Sequence, residues 1–202
     1  MSSNLTGEAM KRYEIIPGCV DLIQDFMSAH EAEALYLTLR EAYARVFRRG
    51  YEPAPGNPLK LHFVLHPVGH FYDGFSSHTN VSPISEHLVE ATARANEACQ
   101  VVGFNNIFAN AYRDGRDWMR LHSDTEPELG VEPTVGTLSL GSPRAFGLAR
   151  RGEAPKVVVL PPGSMLIMKG RCQADWEHGI LEEPAVTAPR ISLTFRTSFK
   201  FD

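Results

Sequence analysis

His122-Ser123-Asp124, joined by His178 much further along the chain, offers two imidazoles and one carboxylate. Two nitrogens and one oxygen on one side of a divalent iron leave coordination positions open, and open positions on a metal imply catalysis. A second constellation lies near the C-terminus. Residues 190–199 alternate, with Ile191, Leu193 and Phe195 on one face and Arg190, Ser192, Thr194 and Arg196 on the other. If the apolar face packs on a core, the two arginines line a cavity, where unpaired guanidinium groups are costly. They call for an anion. Asn110 and Tyr112, two apart on another expected strand, share a face and add an amide and a phenol. One metal, two arginines, an Asn and a Tyr are equipped to hold a small dicarboxylate, chelated at one end and gripped by a guanidinium fork at the other.

The elements that must position these groups fall into two halves. A chain of 202 residues with 43% hydrophobic content suits one larger domain with its own core. Residues 1–12 are polar and expected to be mobile. Ser28 with Glu31 reads as a capping box, and Leu35, Leu39, Ala42, Tyr43, Val46 and Phe47 recur at helical spacing, predicting a helix over 29–47. Residues 50–58, with three Pro and two Gly, mark an irregular connection. A second helix follows Pro83, with Ile84, Leu88, Ala91, Ala95 and Ala98 on one stripe. From about residue 104 the pattern changes to short β-branched and aromatic segments divided by Gly and Pro turns, at 134–140, 146–149, 156–160 and 164–168. That half reads as antiparallel sheet.

Composition excludes several classes. Cys19, Cys99 and Cys172 are widely spaced and form no C-x-x-C, which argues against a disulfide framework or a thiolate zinc site and for a reducing compartment. No apolar run approaches the roughly 20 residues of a membrane span, so a soluble cytoplasmic protein, or a nuclear one in a eukaryote, with no membrane partner is expected. The formal charge of -4 gives no global signature for nucleic acid. Two local basic patches stand out, one with Arg40, Arg45, Arg48 and Arg49, the other with Arg144, Arg150, Arg151 and Lys156. Their ordinary role is a solvated face.

Five ordered segments then carry a resemblance: Asn110-Ala111-Tyr112-Arg113-Asp114-Gly115, Leu121-His122-Ser123-Asp124-Thr125-Glu126, Ser139-Leu140-Gly141 with Arg144-Ala145-Phe146, Trp176-Glu177-His178-Gly179-Ile180, and Pro189-Arg190-Ile191-Ser192-Leu193-Thr194-Phe195-Arg196. Together they resemble the AlkB family of iron(II)- and 2-oxoglutarate-dependent dioxygenases, over roughly the C-terminal half, and most closely the branch that repairs alkylated bases. The resemblance implies a mainly β fold with flanking helices (α+β): a double-stranded β-helix (jelly roll, cupin-like) at 101–202, with 13–100 as helical buttress and substrate lid. It also implies Fe(II), 2-oxoglutarate and O2. Residue by residue, it assigns His122, Asp124 and His178 to iron, and Asn110, Tyr112, Arg190, Arg196 and Ser192 to 2-oxoglutarate. Ser192 stands where repair members usually carry Asn. Glu126 falls where the family contacts the target base, and Arg144 and Phe146 match a motif on the substrate side.

The family chemistry oxidises an N-methyl group that then leaves as formaldehyde, so it needs neither a protein nucleophile nor a general base. A base buried in a duplex cannot reach such a pocket, so the implied partner is alkylated DNA or RNA, extruded or single-stranded and held by a local basic patch. The lid would span 59–79, with Phe63, Phe71, Tyr72 and Phe75 as possible stacking groups, although aromatics in an expected strand usually pack inward as core. His62, His66, His70 and His78 are concentrated there without the Cys or the spacing of a second metal site. A monomer is expected. Two rivals stay open: an oxygenase acting on a protein side chain or small metabolite, and a nucleic-acid-binding protein with a vestigial iron site.

Overall fold

Helix α1 (Ala29–Phe47) begins where the capping box places it. The Glu31 carboxylate accepts from the Ser28 N–H and hydroxyl, both at 2.7 Å, while the Glu31 N–H donates to Ser28 Oγ at 3.3 Å. The computed structural model describes residues 11–47, 54–64 and 86–199. Helix α2 (Glu86–Cys99) buries Leu88, Ala91, Ala95 and Ala98, the expected stripe; Ile84 lies outside the described residues. Arg94 of α2 reaches Glu31 at 2.8 Å, tying the two helices together.

Among the described residues, ten strands build two antiparallel sheets. In chain order they are β1 (Arg12–Ile16), β2 (Val20–Ile23), β3 (Leu59–Val64), β4 (Asn106–Tyr112), β5 (Val135–Gly141), β6 (Arg144–Ala149), β7 (Lys156–Leu160), β8 (Met165–Met168), β9 (Glu177–Ile180) and β10 (Arg190–Arg196). The large sheet runs β1-β2-β8-β5-β10-β4-β3 and the small one β7-β6-β9. A short helix, α3 (Cys172–Asp175), precedes β9.

Alternation along each strand divides the core in two. Met165, Ile167, Leu138, Ile191, Leu193 and Phe195 pack with Leu35, Leu39, Leu88 and Ala91 under the helices. Leu166, Met168, Val135 and Leu22 turn the other way, toward Phe146, Leu148, Leu160 and Ile180 of the small sheet. A sheet covered on both faces loses the polar alternation of a half-exposed one, as the run Met165-Leu166-Ile167-Met168 shows. Between the sheets the inward positions of β10 are polar: Arg190, Ser192, Thr194 and Arg196. The sandwich is therefore apolar at one end and hollow at the other.

Two expectations need correction. The N-terminal half is not only helical, because β1, β2 and β3 all join the large sheet. Residues 1–10 lie outside the described residues, but Arg12, expected to be mobile, opens β1. It is held there by Asp21, whose Oδ2 takes Arg12 Nη2 at 2.7 Å and Lys169 Nζ at 2.6 Å. Burial would raise the Asp21 pKa, but bonds from Lys169 and Arg12 outweigh it and hold the carboxyl below its usual range. Among the described residues no helix is long and apolar enough to cross a membrane.

Candidate metal centre

The floor of the hollow end follows from strand register. On β10, Arg190 stands opposite Tyr112, Ser192 opposite Asn110 and Thr194 opposite Phe108. On its other side Ser139 and Thr137 of β5 face Ser192 and Thr194, and Lys60 of β3 pairs with Asn110. Period-two alternation thus aims a row of polar side chains into a cavity of about 210 Å³. That is below the roughly 300–1,000 Å³ of drug-sized pockets and suits a small diacid. Met119, Arg120, Glu126, Phe146, Gly179 and Ile180 complete its walls with the metal-competent triad.

The triad hangs from the opposite side. His122 and His178 exchange backbone hydrogen bonds, 3.0 Å from the His122 N–H and 2.7 Å from the His178 N–H. This pairing sets the imidazole centroids 4.5 Å apart. Phe146 stacks on His178 at 5.8 Å and fixes its plane. His122 Nδ1 lies 2.9 Å from the Arg120 carbonyl, which favours the proton on Nδ1 and leaves the Nε2 lone pair for a ligand role. Asp124 Oδ1 is 3.6 Å from that Nε2. One ligand atom from each of the three residues lies within 4.8 Å of the others, so small side-chain rotations suffice for a shared ion.

Electrostatics prepares the same three groups. Asp124 is buried, which alone would raise its pKa, yet Arg196 and then the two histidines hold its carboxyl below the usual range. Arg196 grips Oδ2 through Nε at 3.0 Å and Nη2 at 2.8 Å. Burial pushes the His178 imidazole down to about 4 against the raising influence of Asp124, so it is neutral and able to ligate near pH 7. A linkage effect follows. The unfolded chain titrates this histidine near 6.5, so above that pH neither state is protonated. As pH falls from about 6.5 toward 4 the unfolded state takes the proton first. Stability of the metal-free protein therefore declines across that window, and thermal melts at stepped pH check it; His178→Gln should flatten the slope.

Arg190 is the other pole. Its Nε donates to Ser139 Oγ at 3.0 Å and its guanidinium stands 5.3 Å from the Tyr112 ring. Burial lowers its pKa to about 10, which leaves it cationic near pH 7. Five buried side-chain polar atoms lack a hydrogen-bond partner among the described residues: Arg190 Nη1 and Nη2, His178 Nδ1, Glu126 Oε2 and Tyr43 Oη. All but the last belong to residues lining this cavity. Buried polar groups are almost always satisfied, so the concentration fits a site that completes itself with a cation, an anion and a hydrogen-bond donor. The donor set of two histidines and one carboxylate is the one that open iron sites use.

Most sequence-derived candidates converge here, and others do not. Asn110, Tyr112, Ser192 and Glu126 line the cavity as expected. Arg196 lines it too, with Nε and Nη2 on Asp124 Oδ2. Arg144 is a correction: it is fully buried and does not line the cavity. Its Nε bonds Glu183 at 3.0 Å, Nη1 the Asp114 carbonyl at 3.0 Å, and Nη2 the carbonyls of Leu181 and Asp117 at 2.7 and 2.9 Å. With every nitrogen bonded to protein, it anchors the loop after β4. At the same junction a Cβ on Gly115 would stand 1.7 Å from the Glu183 carbonyl oxygen, so only glycine lets the two loops meet.

The described members of the basic patches also part from the cavity. Arg150, Arg151 and Lys156 are exposed and engage Trp176, Glu177 and the Ile15 carbonyl. Arg40 is exposed beside Tyr36; the Arg45 side chain, Arg48 and Arg49 lie outside the described residues. So do the side chains of Phe63 and His62 on β3, and the whole of Tyr72, Phe71, Phe75, His66, His70 and His78.

Sequence reasoning missed Gln173 of α3, whose Oε1 accepts the Asp124 N–H at 2.9 Å. It also missed Ser123 Oγ, which donates to the Trp176 carbonyl at 2.9 Å. Neither has a pattern that marks it. Thr137 and Ser139, also missed, had one, small polar residues at period two inside an apolar strand.

Comparison with known proteins agrees with this geometry. Residues 19–196 match the 2OG-Fe(II) oxygenase superfamily. Alpha-ketoglutarate-dependent dioxygenase alkB homolog 3 of Mus musculus is 39% identical over 106 residues, covering 48% of this chain and 37% of that protein. DNA oxidative demethylase ALKBH2 of Homo sapiens is 36% identical over 102 residues, covering 46% of this chain and 39% of that protein. The chain thus spans under two fifths of the length of these relatives. Among solved structures, OsALKBH1 superposes with a TM-score of 0.59 at 19% identity over 90% of this chain and 99% of that one. A Pseudomonas putida prolyl-4-hydroxylase gives 0.60 at 14% identity over 92% and 96%. Both share the jelly-roll fold expected from sequence.

Proposed function

Because the chain belongs to the 2OG-Fe(II) oxygenase superfamily, within its AlkB family, we propose that it is an iron(II)- and 2-oxoglutarate-dependent dioxygenase that removes alkyl groups from nucleobase nitrogens in DNA or RNA. Arg190 carries this assignment. A buried guanidinium with both terminal nitrogens unpartnered faces the same small cavity as a His-Asp-His triad, which is the demand of a diacid that also meets a metal.

His122, Asp124 and His178 would hold the iron, which with oxygen and the 2-oxo acid supplies the power to hydroxylate an N-alkyl carbon. Arg190 binds the far carboxylate, with Ser139 fixing its Nε and Tyr112 flanking its plane. Asn110 and Ser192 bed the rest of the co-substrate. Arg196 keeps the Asp124 carboxylate ionised and orients it. Glu126 turns an unpartnered carboxylate oxygen toward the cavity, where it accepts a hydrogen bond from an exocyclic amine of the target base. Phe108, Met119 and Phe146 exclude water around the reacting carbon. The hydroxylated N-methyl group collapses to formaldehyde and the unmodified base, while 2-oxoglutarate leaves as succinate and carbon dioxide.

The test is a screen of oligonucleotides carrying 1-methyladenine, 3-methylcytosine or N6-methyladenine, incubated with iron and 2-oxoglutarate and read by mass. Loss of one CH2 in mass, a methyl group replaced by hydrogen, is expected from at least one. No loss from any, with 2-oxoglutarate still converted to succinate, would move the substrate to a protein side chain or small metabolite.

A further inference from the structure

The loop from β4 to the metal ligands holds an aromatic side chain that the reaction as described does not use. Trp118 is 42% exposed. Along this loop Arg116, Trp118 and Arg120 are exposed while Asp117 is buried and Met119 half-buried. Met119 and Arg120 line the cavity, and Trp118 directly precedes them in the chain. The indole also packs against Gly56, where a Cβ would come 3.3 Å from the indole nitrogen and where φ is +80°. Gly56 leads into β3, whose Lys60 lines the cavity from the other side. Trp118 therefore ties its own segment, which brings Arg120 to the cavity, to the one that brings Lys60.

The backbone beneath it is fastened. The Trp118 N–H donates to the Gly56 carbonyl and the Met119 N–H to the Ile180 carbonyl, both at 3.0 Å. The Asp117 carboxylate takes the Arg113 N–H at 2.8 Å, and Arg144 holds the carbonyls of Asp114 and Asp117 from below. A large apolar side chain left two-fifths exposed on so constrained a loop has its ordering cost already met, and an exposed indole can stack on any base.

We infer that Trp118 is a stacking platform for a base neighbouring the one in the cavity, with Arg116 and Arg120 taking the adjoining phosphates, so that the enzyme engages a single strand rather than an isolated nucleoside. This rests on the demethylase reading and narrows its substrate. A base face and a phosphodiester are common to DNA and RNA, so the experiment carries both.

Three substrates bearing one lesion are compared: a single-stranded oligodeoxynucleotide, its RNA counterpart and the free methylated nucleoside. Trp118→Ala should lower kcat/KM about 10-fold, mainly through KM, on the polymer that the wild type prefers. Nucleoside turnover should stay unchanged, and Trp118→Phe should recover most of the loss. Arg116→Gln should lower the slope of log affinity against log salt by about one contact's worth, roughly 0.7 for a single strand. The polymer that suffers the Trp118→Ala loss identifies the sugar. Equal turnover of both polymers by wild type and Trp118→Ala overturns the platform while leaving demethylation standing. Wild-type failure on all three substrates overturns the demethylase reading itself.

Discussion

Asp124→Ala is expected to abolish iron-dependent turnover in a chain that still folds. The carboxylate is the anionic member of the triad and is held ionised by Arg196 and the two histidines. Its removal deletes a ligand and also leaves the Arg196 guanidinium without its partner beside the ion's place. A cation facing a divalent cation in a buried site opposes metal entry as strongly as the carboxylate favoured it. The loss should exceed the roughly 10–100-fold typical of residues that merely orient a ligand. Succinate release measures turnover, titration with Co(II) measures metal entry, and circular dichroism reports the fold. Turnover within 10-fold of wild type, on the order of an orienting residue's effect, would remove Asp124 from the metal set.

Arg190→Met should act in opposite directions on binding and on stability. Loss of a charge-assisted contact worth about 1.5–3 kcal/mol raises the KM for 2-oxoglutarate roughly 10- to 150-fold. The free protein, however, loses a buried charge with two unpartnered nitrogens, and exchanging such a group for an apolar one of similar volume is often neutral or stabilising. A melting temperature equal to or above that of wild type, with a raised KM, marks an arginine kept for its ligand. A lowered melting temperature with unchanged KM would make Arg190 a structural group and end the co-substrate assignment.

The contrast with Arg144 explains what could be read from sequence. Both arginines are buried and both sit beside a β-strand hydroxyl or loop. For Arg190 the strand's own alternation announced an inward charge, and Asn110, Tyr112 and the triad announced the cavity it would meet. For Arg144 the partners are mostly backbone carbonyls of Asp114, Asp117 and Leu181, and a carbonyl looks the same whatever side chain follows it. A short motif containing Arg144 therefore resembled a substrate contact while the side chain is turned to these loop carbonyls.

Elements followed the same rule. The capping box and the apolar stripe of α1 are local signals, and the helix starts and ends where they say. β9 has only four residues, among them His178 and Gly179, and its pairing with β6 comes from the tertiary fold. β1 was hidden because Arg12 and Glu14 look like a polar tail until Asp21 and Lys169 supply the far half of the contact. Of the segment 59–79 expected to form a lid, residues 65–79 fall outside the described residues.

The reciprocal backbone pairing of His122 with His178 has a bearing on how the protein meets its ion. These two ligands are juxtaposed by peptide groups, and Asp124 is fastened through its own N–H to Gln173. Unlike a zinc finger, whose polypeptide collapses only around its metal, this chain builds its receptacle first. Iron then arrives as a guest and can leave as one, so a chelated preparation should be a reloadable enzyme and not a denatured one.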